Sequence, residues 1–255
     1  NKDYHADREF ISSSGIKKML KDPKAYYETY VLEQSEEESY NPAFAFGSYV
    51  HSLILEPHLV EEEYAIFDGA VRRGKKWDEF KEAHADRTII TQSQKQQAAF
   101  MFNAYENNKQ AIALTTDGIP EETLAIELDG VKVKVRCDYR QGNVISDVKT
   151  TFYGVSKEEV VNTCIKYDYD LSAALYVDAF TEHTGIPHEF YFIFLNKKEP
   201  MGCEVYKASQ QFIENGRRKY KEGLRLLKEA RETGVYYEEG KVQEIYIPEA
   251  CIFQV

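Results

Sequence analysis

Cysteine is scarce in this chain of 255 residues, and the four present, Cys137, Cys164, Cys203 and Cys251, include no C-x-x-C pair. That excludes a zinc knuckle or a disulfide scaffold as the organising device, and it fits a reducing, cytoplasmic setting. No apolar run approaches the ~20 residues of a membrane span, and the N-terminal NKDYHADREF lacks the apolar centre of a signal peptide. The first residue is not Met, so further residues are expected upstream. Positive charge is also short. The formal net charge is −11, which argues against a protein that coats nucleic acid by bulk electrostatics. A nuclease is not excluded, because a metal site brings its own positive charge. Basic clusters at Arg72-Arg73-Lys75-Lys76 and Arg217-Arg218-Lys219-Lys221 are available to line a groove, although such runs are more commonly solvated faces. A hydrophobic fraction of 43% supports a substantial core. With no internal repeat and no linker, residues 1–255 read as one domain with N-terminal helical decoration.

What the chain does have is concentrated between Val131 and Thr151. Residues 131–138 alternate Val, Lys, Val, Lys, Val, Arg, Cys, Asp, the period of a strand with one face buried. Gln141-Gly142-Asn143 supplies a turn and Val144 to Lys149 a returning strand. Side chains two apart share a sheet face, so Asp147 and Lys149 project together, with Asp138 within reach on the partner strand. Carboxylates converging on an ammonium are costly unless a divalent cation compensates them, and Mg²⁺ favours a few carboxylates with waters and phosphate oxygens. That pattern points to metal-assisted phosphodiester chemistry. A solvated strand pair with an ion pair gives the same spacing, and an acid two before a lysine recurs at Asp22/Lys24, Glu79/Lys81 and Glu239/Lys241.

Around this hairpin, Ser12 to Leu32 reads as two short helices restarted at Asp22-Pro23, with Tyr26, Tyr27 and Tyr30 as packing residues, and Glu33 to Tyr40 as an acidic surface loop. Phe44 to Leu55 is an apolar helix in which His51 lies one turn after Gly47, so the small residue leaves room beside the imidazole. A histidine there is either a core residue or a metal ligand. Val60 to Ile90 holds a short strand, a basic loop and a helix around Trp77, and Gln92 to Ala113 reads as one long helix capped by Thr91. Residues 123–150 form a three-strand antiparallel meander. A capping box at Ser156 to Glu159 opens the next helix, followed by a helix to Thr184, strands Glu189–Leu195 and Cys203–Ala208, and a charged helix Gln210–Thr233 closed by Gly234. Glu122 and Glu127 lie near enough in the meander to be weighed as extra metal ligands or as surface residues.

The order of helix, meander with Asp and Asp-x-Lys, helix and strand resembles the PD-(D/E)XK nuclease superfamily, an α/β (α+β) restriction-endonuclease-like core with a central mixed sheet flanked by helices. ISSSGIKKMLKDPKAYYETY at 11–30, FGSYVHSLILEP at 46–57, RCDYR at 136–140, SDVKTT at 146–151 and YDLSAALYVDAF at 169–180 are similar, in order, to the exonuclease VIII (RecE-type) family of phage recombination nucleases. The resemblance implies that His51, Asp138, Asp147 and the main-chain carbonyl of Val148 bind Mg²⁺, with Mn²⁺ as a substitute, and that Lys149 is the catalytic lysine. It matches Tyr176 to the tyrosine of a substrate-binding Gln-x-x-x-Tyr element whose glutamine position here is Ser172. The implied activity is a double-stranded DNA exonuclease, 5′ to 3′, exposing single strands for an annealing protein. A closed homo-oligomeric ring, a tetramer, is expected, with basic residues near Arg72 and Arg217 facing its channel. The alternatives are a structure-specific or single-strand endonuclease of the same fold, and a catalytically inactive DNA-end-binding recombination factor.

Overall fold

Several helix starts follow local capping chemistry. Ser12 accepts the Gly15 N–H to open α1 (Ser13–Lys21), and Asp22 caps α2 (Pro23–Tyr26), which continues as a π turn over Tyr27–Val31. The computed structural model describes residues 8–34, 41–69 and 71–240. Cys251, Lys241, most of the N-terminal decapeptide and residues 35–40 of the acidic loop lie outside the described residues. Asn41 caps the apolar α3 (Pro42–Leu55). The short α4 (Val60–Glu63) leads into β1 (Tyr64–Phe67), α5 (Lys75–Ala83) and β2 (Thr88–Thr91). Where one strand was expected there are two, paired in parallel as a small sheet of their own.

The long helix expected over 92–113 is divided. A Thr91/Gln94 capping box opens α6 (Gln92–Glu106), which stops at Asn107, and Asn108 then accepts the Gln110 and Ala111 N–H groups to start α7 (Lys109–Ala113). Asparagine side chains compete for backbone hydrogen bonds, which disfavours them inside a helix and suits them to caps.

The main sheet contains β3 (Ile119–Leu128), β4 (Val131–Gln141), β5 (Val144–Thr151), β6 (Glu189–Asn196) and β7 (Cys203–Lys207), in that spatial order. All neighbours are antiparallel except β5 and β6. That parallel pair needs a crossover, which α8 (Lys157–Lys166) and α9 (Tyr169–Thr184) provide. The chain continues into α10 (Gln210–Thr233), stopped by Gly234 at φ +73°.

Helices cover both sheet faces. On one, Val133, Val135, Ile145, Phe190, Phe192 and Phe194 pack with Leu171, Leu175 and Phe180 of α9, Leu224 and Leu227 of α10, and Ile16 of α1. On the other, Tyr139, Val148, Ile193 and Leu195 pack with Tyr49 and Val50 of α3 and Met101 of α6. Helix α10 lies so close to α9 that a Cβ at Gly216 would meet the Asp170 carbonyl oxygen at 1.9 Å. This is the α+β architecture expected, a mixed sheet between helical layers. Among the described residues no helix is long and apolar enough to cross a membrane.

Candidate active site

The site forms where two central strands part. The β4–β5 ladder comprises only Tyr139↔Ser146, Arg140↔Ile145 and Gln141↔Val144. Beyond it, the Asp138 carboxylate accepts the Val148 N–H at 2.7 Å, taking the place of a strand-to-strand bond. The side-chain alternation of β4 also breaks there. Cys137 belongs to one core and Tyr139 to the other, although residues two apart ordinarily share a face. Opposite this point, Pro120 pairs with Tyr139 and Glu122 with Cys137, while Glu121 between them adopts a left-handed conformation with φ +49°. Local breaks in a ladder redirect side chains, and here both redirected side chains are carboxylates.

Helix α3 lays His51 over this opening. A Cβ at Gly47, one turn earlier, would lie 3.6 Å from the Thr150 hydroxyl, so the helix runs close above β5. His51 Nδ1 is 3.4 Å from an Asp138 carboxylate oxygen. His51, Glu121 and Asp138 each offer one ligand atom, all within 4.8 Å of one another. Asp147 and Lys149 do project together from β5, joined at 2.6 Å. Lys149 Nζ also lies 5.4 Å from the centre of the Tyr169 ring, at the start of α9. Asp147 stands outside the three-residue group and beside it, close enough for the Asp138 charge to act on it.

Burial and crowding set the protonation of these groups. Burial holds His51 below its ordinary value, the Asp138 carboxylate opposing and Lys149 reinforcing the shift, so the ring is neutral at neutral pH. Glu121 is pushed up to about 7 by burial and then by Asp138, against the pull of Arg136 at 2.9 Å. Asp147 also rises to about 7, from burial and the Asp138 charge, against Lys149. Burial works against the Lys149 ammonium, but Asp147 and Asp138 outweigh it and hold its pKa above the ordinary lysine value. A second lysine comes from α1: Lys17 donates to the Tyr167 carbonyl at 2.9 Å, and burial with Lys149 nearby lowers its pKa to about 8.

Glu121 and Asp147, driven towards neutrality beside a neutral imidazole, suit a divalent cation, because a metal would restore their ionisation in competition with protons and with Arg136 and Lys149. Oxygen ligands with one nitrogen suit a hard or borderline ion. His51, Glu121 and Asp138 could therefore hold a metal, with Asp147 at its flank.

Glu121 is not visible in the sequence pattern, because its left-handed backbone breaks the alternation that marks the strand from Thr123 onward. Glu122 and Glu127 are engaged elsewhere on the meander. Glu122 forks onto Arg140 at 2.6 and 2.9 Å, and exposed Glu127 lies opposite Lys132 in the ladder. Tyr176 is half-buried beside Phe190 with ring centres 6.3 Å apart, and Ser172 is half-buried on the same helix. Tyr169, one turn before Ser172, is the tyrosine of α9 that flanks Lys149. Of the basic clusters, Arg217 is held by Asp178 at 2.6 Å and by Glu214. Arg72 donates to the Ile89 carbonyl and to Gln94.

Residues 12–243 match the PDDEXK-like domain of unknown function DUF3799. The fold is similar to the crystal structure of a candidate exonuclease from Eubacterium rectale, with a TM-score of 0.66 at 16% identity, covering 96% of this chain and 92% of that one. A phage-related exonuclease from Haemophilus somnus gives a TM-score of 0.39 at 9% identity, over 89% of this chain and 96% of that one. No curated protein matches.

Proposed function

Because the chain belongs to the PDDEXK-like DUF3799 family, we propose that it is a Mg²⁺-dependent deoxyribonuclease acting from the ends of double-stranded DNA. One observation carries this reading: His51, Glu121 and Asp138 converge within 4.8 Å where β4 and β5 part, beside the Asp147–Lys149 pair. An isolated structural ion pair would not need a neutral imidazole and additional carboxylates around it. When bound there, Mg²⁺, or Mn²⁺ in its place, supplies electrophilic polarisation of a phosphodiester and a water of lowered pKa.

The chain's own residues do the rest. Asp138 and Asp147 supply the anionic ligands, His51 the neutral one and Glu121 a fourth, with the Val148 carbonyl offered from the same strand. Asp138 is fixed by the Val148 N–H, so its carboxylate is oriented before any ligand arrives. Lys149 stays charged and places its ammonium where negative charge grows on the phosphoryl oxygens, and it can hold the attacking water in line.

The exonuclease reading, with 5′ to 3′ polarity, a role in phage or prophage recombination with a single-strand annealing protein, and action in the cytoplasm, rests on the resemblance to the RecE-type family. The nuclease part of this reading is supported by the family match. A ring of identical chains, a tetramer, would keep an acidic protein on DNA by encirclement, since its net charge of −11 opposes broad attraction. Incubation with linear duplex labelled at either 5′ end, and with covalently closed circles, tests this reading. Release of nucleotides from linear DNA only, with Mg²⁺ or Mn²⁺ and not with EDTA, is expected. Equal cutting of closed circles would replace the exonuclease with an endonuclease of the same fold, and no cutting with any divalent ion would leave only a DNA-end-binding protein.

A further inference from the structure

Just beyond the catalytic strand the surface carries aromatic rings that the fold leaves in solvent. Phe152 and Tyr153 follow the end of β5 and are 48% and 52% exposed, and Tyr167, after α8, is 43% exposed. Lysines line these rings. Lys166 Nζ lies 4.6 Å from the Tyr153 ring centre and 5.4 Å from that of Tyr167. Lys197 and Lys198 lie 4.9 and 6.0 Å from the centre of Phe152. The rings also lead into the site: Tyr167 stacks on Tyr169 with centres 5.7 Å apart, and Tyr169 flanks Lys149 at 5.4 Å. The loop that presents them is fixed at its base, the Tyr153 N–H donating to the Thr151 hydroxyl at 3.0 Å.

We propose that Phe152, Tyr153 and Tyr167, with Lys166 and Lys198, form a platform for unpaired nucleotides of a single DNA strand entering or leaving the active site. Aromatic faces accept any unstacked base, and interleaved cations track the phosphates, which is the chemistry of sequence-tolerant single-strand binding. A duplex keeps its bases stacked on one another and offers no free face to these rings. Concentrated lysine beside exposed rings is complementary to a polyanion even in a chain of net charge −11. The link from platform to catalysis rests on the deoxyribonuclease reading; the binding itself does not.

The test uses the full chain carrying Lys149→Ala, so that strands survive, and reads fluorescence anisotropy of labelled dT12 and of a blunt 20-bp duplex. Phe152→Ala with Tyr153→Ala should weaken dT12 binding at least about tenfold and duplex binding by less than about twofold, with an unchanged melting temperature. Lys166→Glu with Lys198→Glu should weaken dT12 as well, and Tyr153→Phe should retain it. Unchanged dT12 affinity overturns the platform, and so does an equal loss for duplex. Exposed Val161 and Ile165 adjoin the patch on α8. If the ring variants change the mass in sedimentation while dT12 binding persists, the surface is a contact between copies and the proposal falls. A wild-type chain that binds dT12 through these rings yet cuts no DNA keeps the platform and removes the nuclease reading.

Discussion

The Asp138 carboxylate receives the Val148 N–H at 2.7 Å while the same carboxylate faces His51 Nδ1 at 3.4 Å. One side chain thus bridges β4 and β5 where their ladder ends and presents its carboxylate to the opening beside it. Strand pairing and the proposed ligation meet at this residue, and two substitutions separate them.

Asp138→Asn keeps an acceptor for the Val148 N–H and removes the charge, whereas Asp138→Ala leaves that buried N–H unpaired, at a cost of about 1–3 kcal/mol. Urea unfolding in EDTA should therefore show the Asn variant close to wild type and the Ala variant clearly weaker. Calorimetry should find metal binding lost in both. Equal stability of the two variants would mean that the hydrogen bond does not hold the strands.

Glu121 and Glu122 are adjacent and are expected to behave differently. Glu121→Gln removes a carboxylate of the three-residue group and should weaken Mn²⁺ binding by about tenfold or more, the scale seen when groups that support a metal site are lost. Glu122→Gln breaks only the fork onto Arg140 and should leave Mn²⁺ affinity unchanged. The reverse ranking by calorimetry would return Glu122 to the site and remove Glu121.

Lys149 is the group whose loss should separate chemistry from ligation. Lys149→Ala should slow hydrolysis by about 10²–10³-fold, the worth of a group that stabilises transition-state charge, while folding and metal affinity persist. Lys149→Arg restores the charge but not the compact shape of the ammonium, and should recover little. Rapid digestion of linear duplex by the alanine variant would show that the ammonium serves only as a partner for Asp147.

Much of this was legible before the structure. Thr91 and Ser156 cap the helices they were expected to open, because capping depends on a few adjacent residues. The meander was legible from its alternation, and Asp147 with Lys149 from simple spacing. Glu121 was not, since its left-handed backbone defeats the two-residue period that identifies a strand face. Lys17 and Tyr169 were missed for a different reason. They reach Lys149 from α1 and α9, and that meeting depends on how helices pack across the sheet. The parallel β1–β2 pair likewise joins segments 24 residues apart, Tyr64 opposite Thr88, through an intervening helix.

Glu121 and Asp147 titrate near 7 in the folded chain, burial being the main cause and Asp138 the next, against roughly 4 when unfolded. A folded pKa above the unfolded one means that the folded state holds the proton more tightly. The associated stability is complete below the unfolded pKa and is lost as pH rises through about 7. His51 acts in the opposite sense: its folded pKa is depressed, so its contribution is complete above about 6.5 and lost as pH falls. Comparing Glu121→Gln with wild type in EDTA cancels the histidine contribution to first order. The variant should gain melting temperature over wild type at pH 8 relative to any difference at pH 5, because only the wild type must then ionise the crowded Glu121 carboxyl as well as that of Asp147. Mg²⁺ should raise the wild-type melting temperature more at pH 8 than at pH 5, since the cation replaces the protons that relieve the crowding. A Glu121→Gln difference that is the same at both pH values would show that Glu121 has an ordinary acidity and stands apart from the charge cluster.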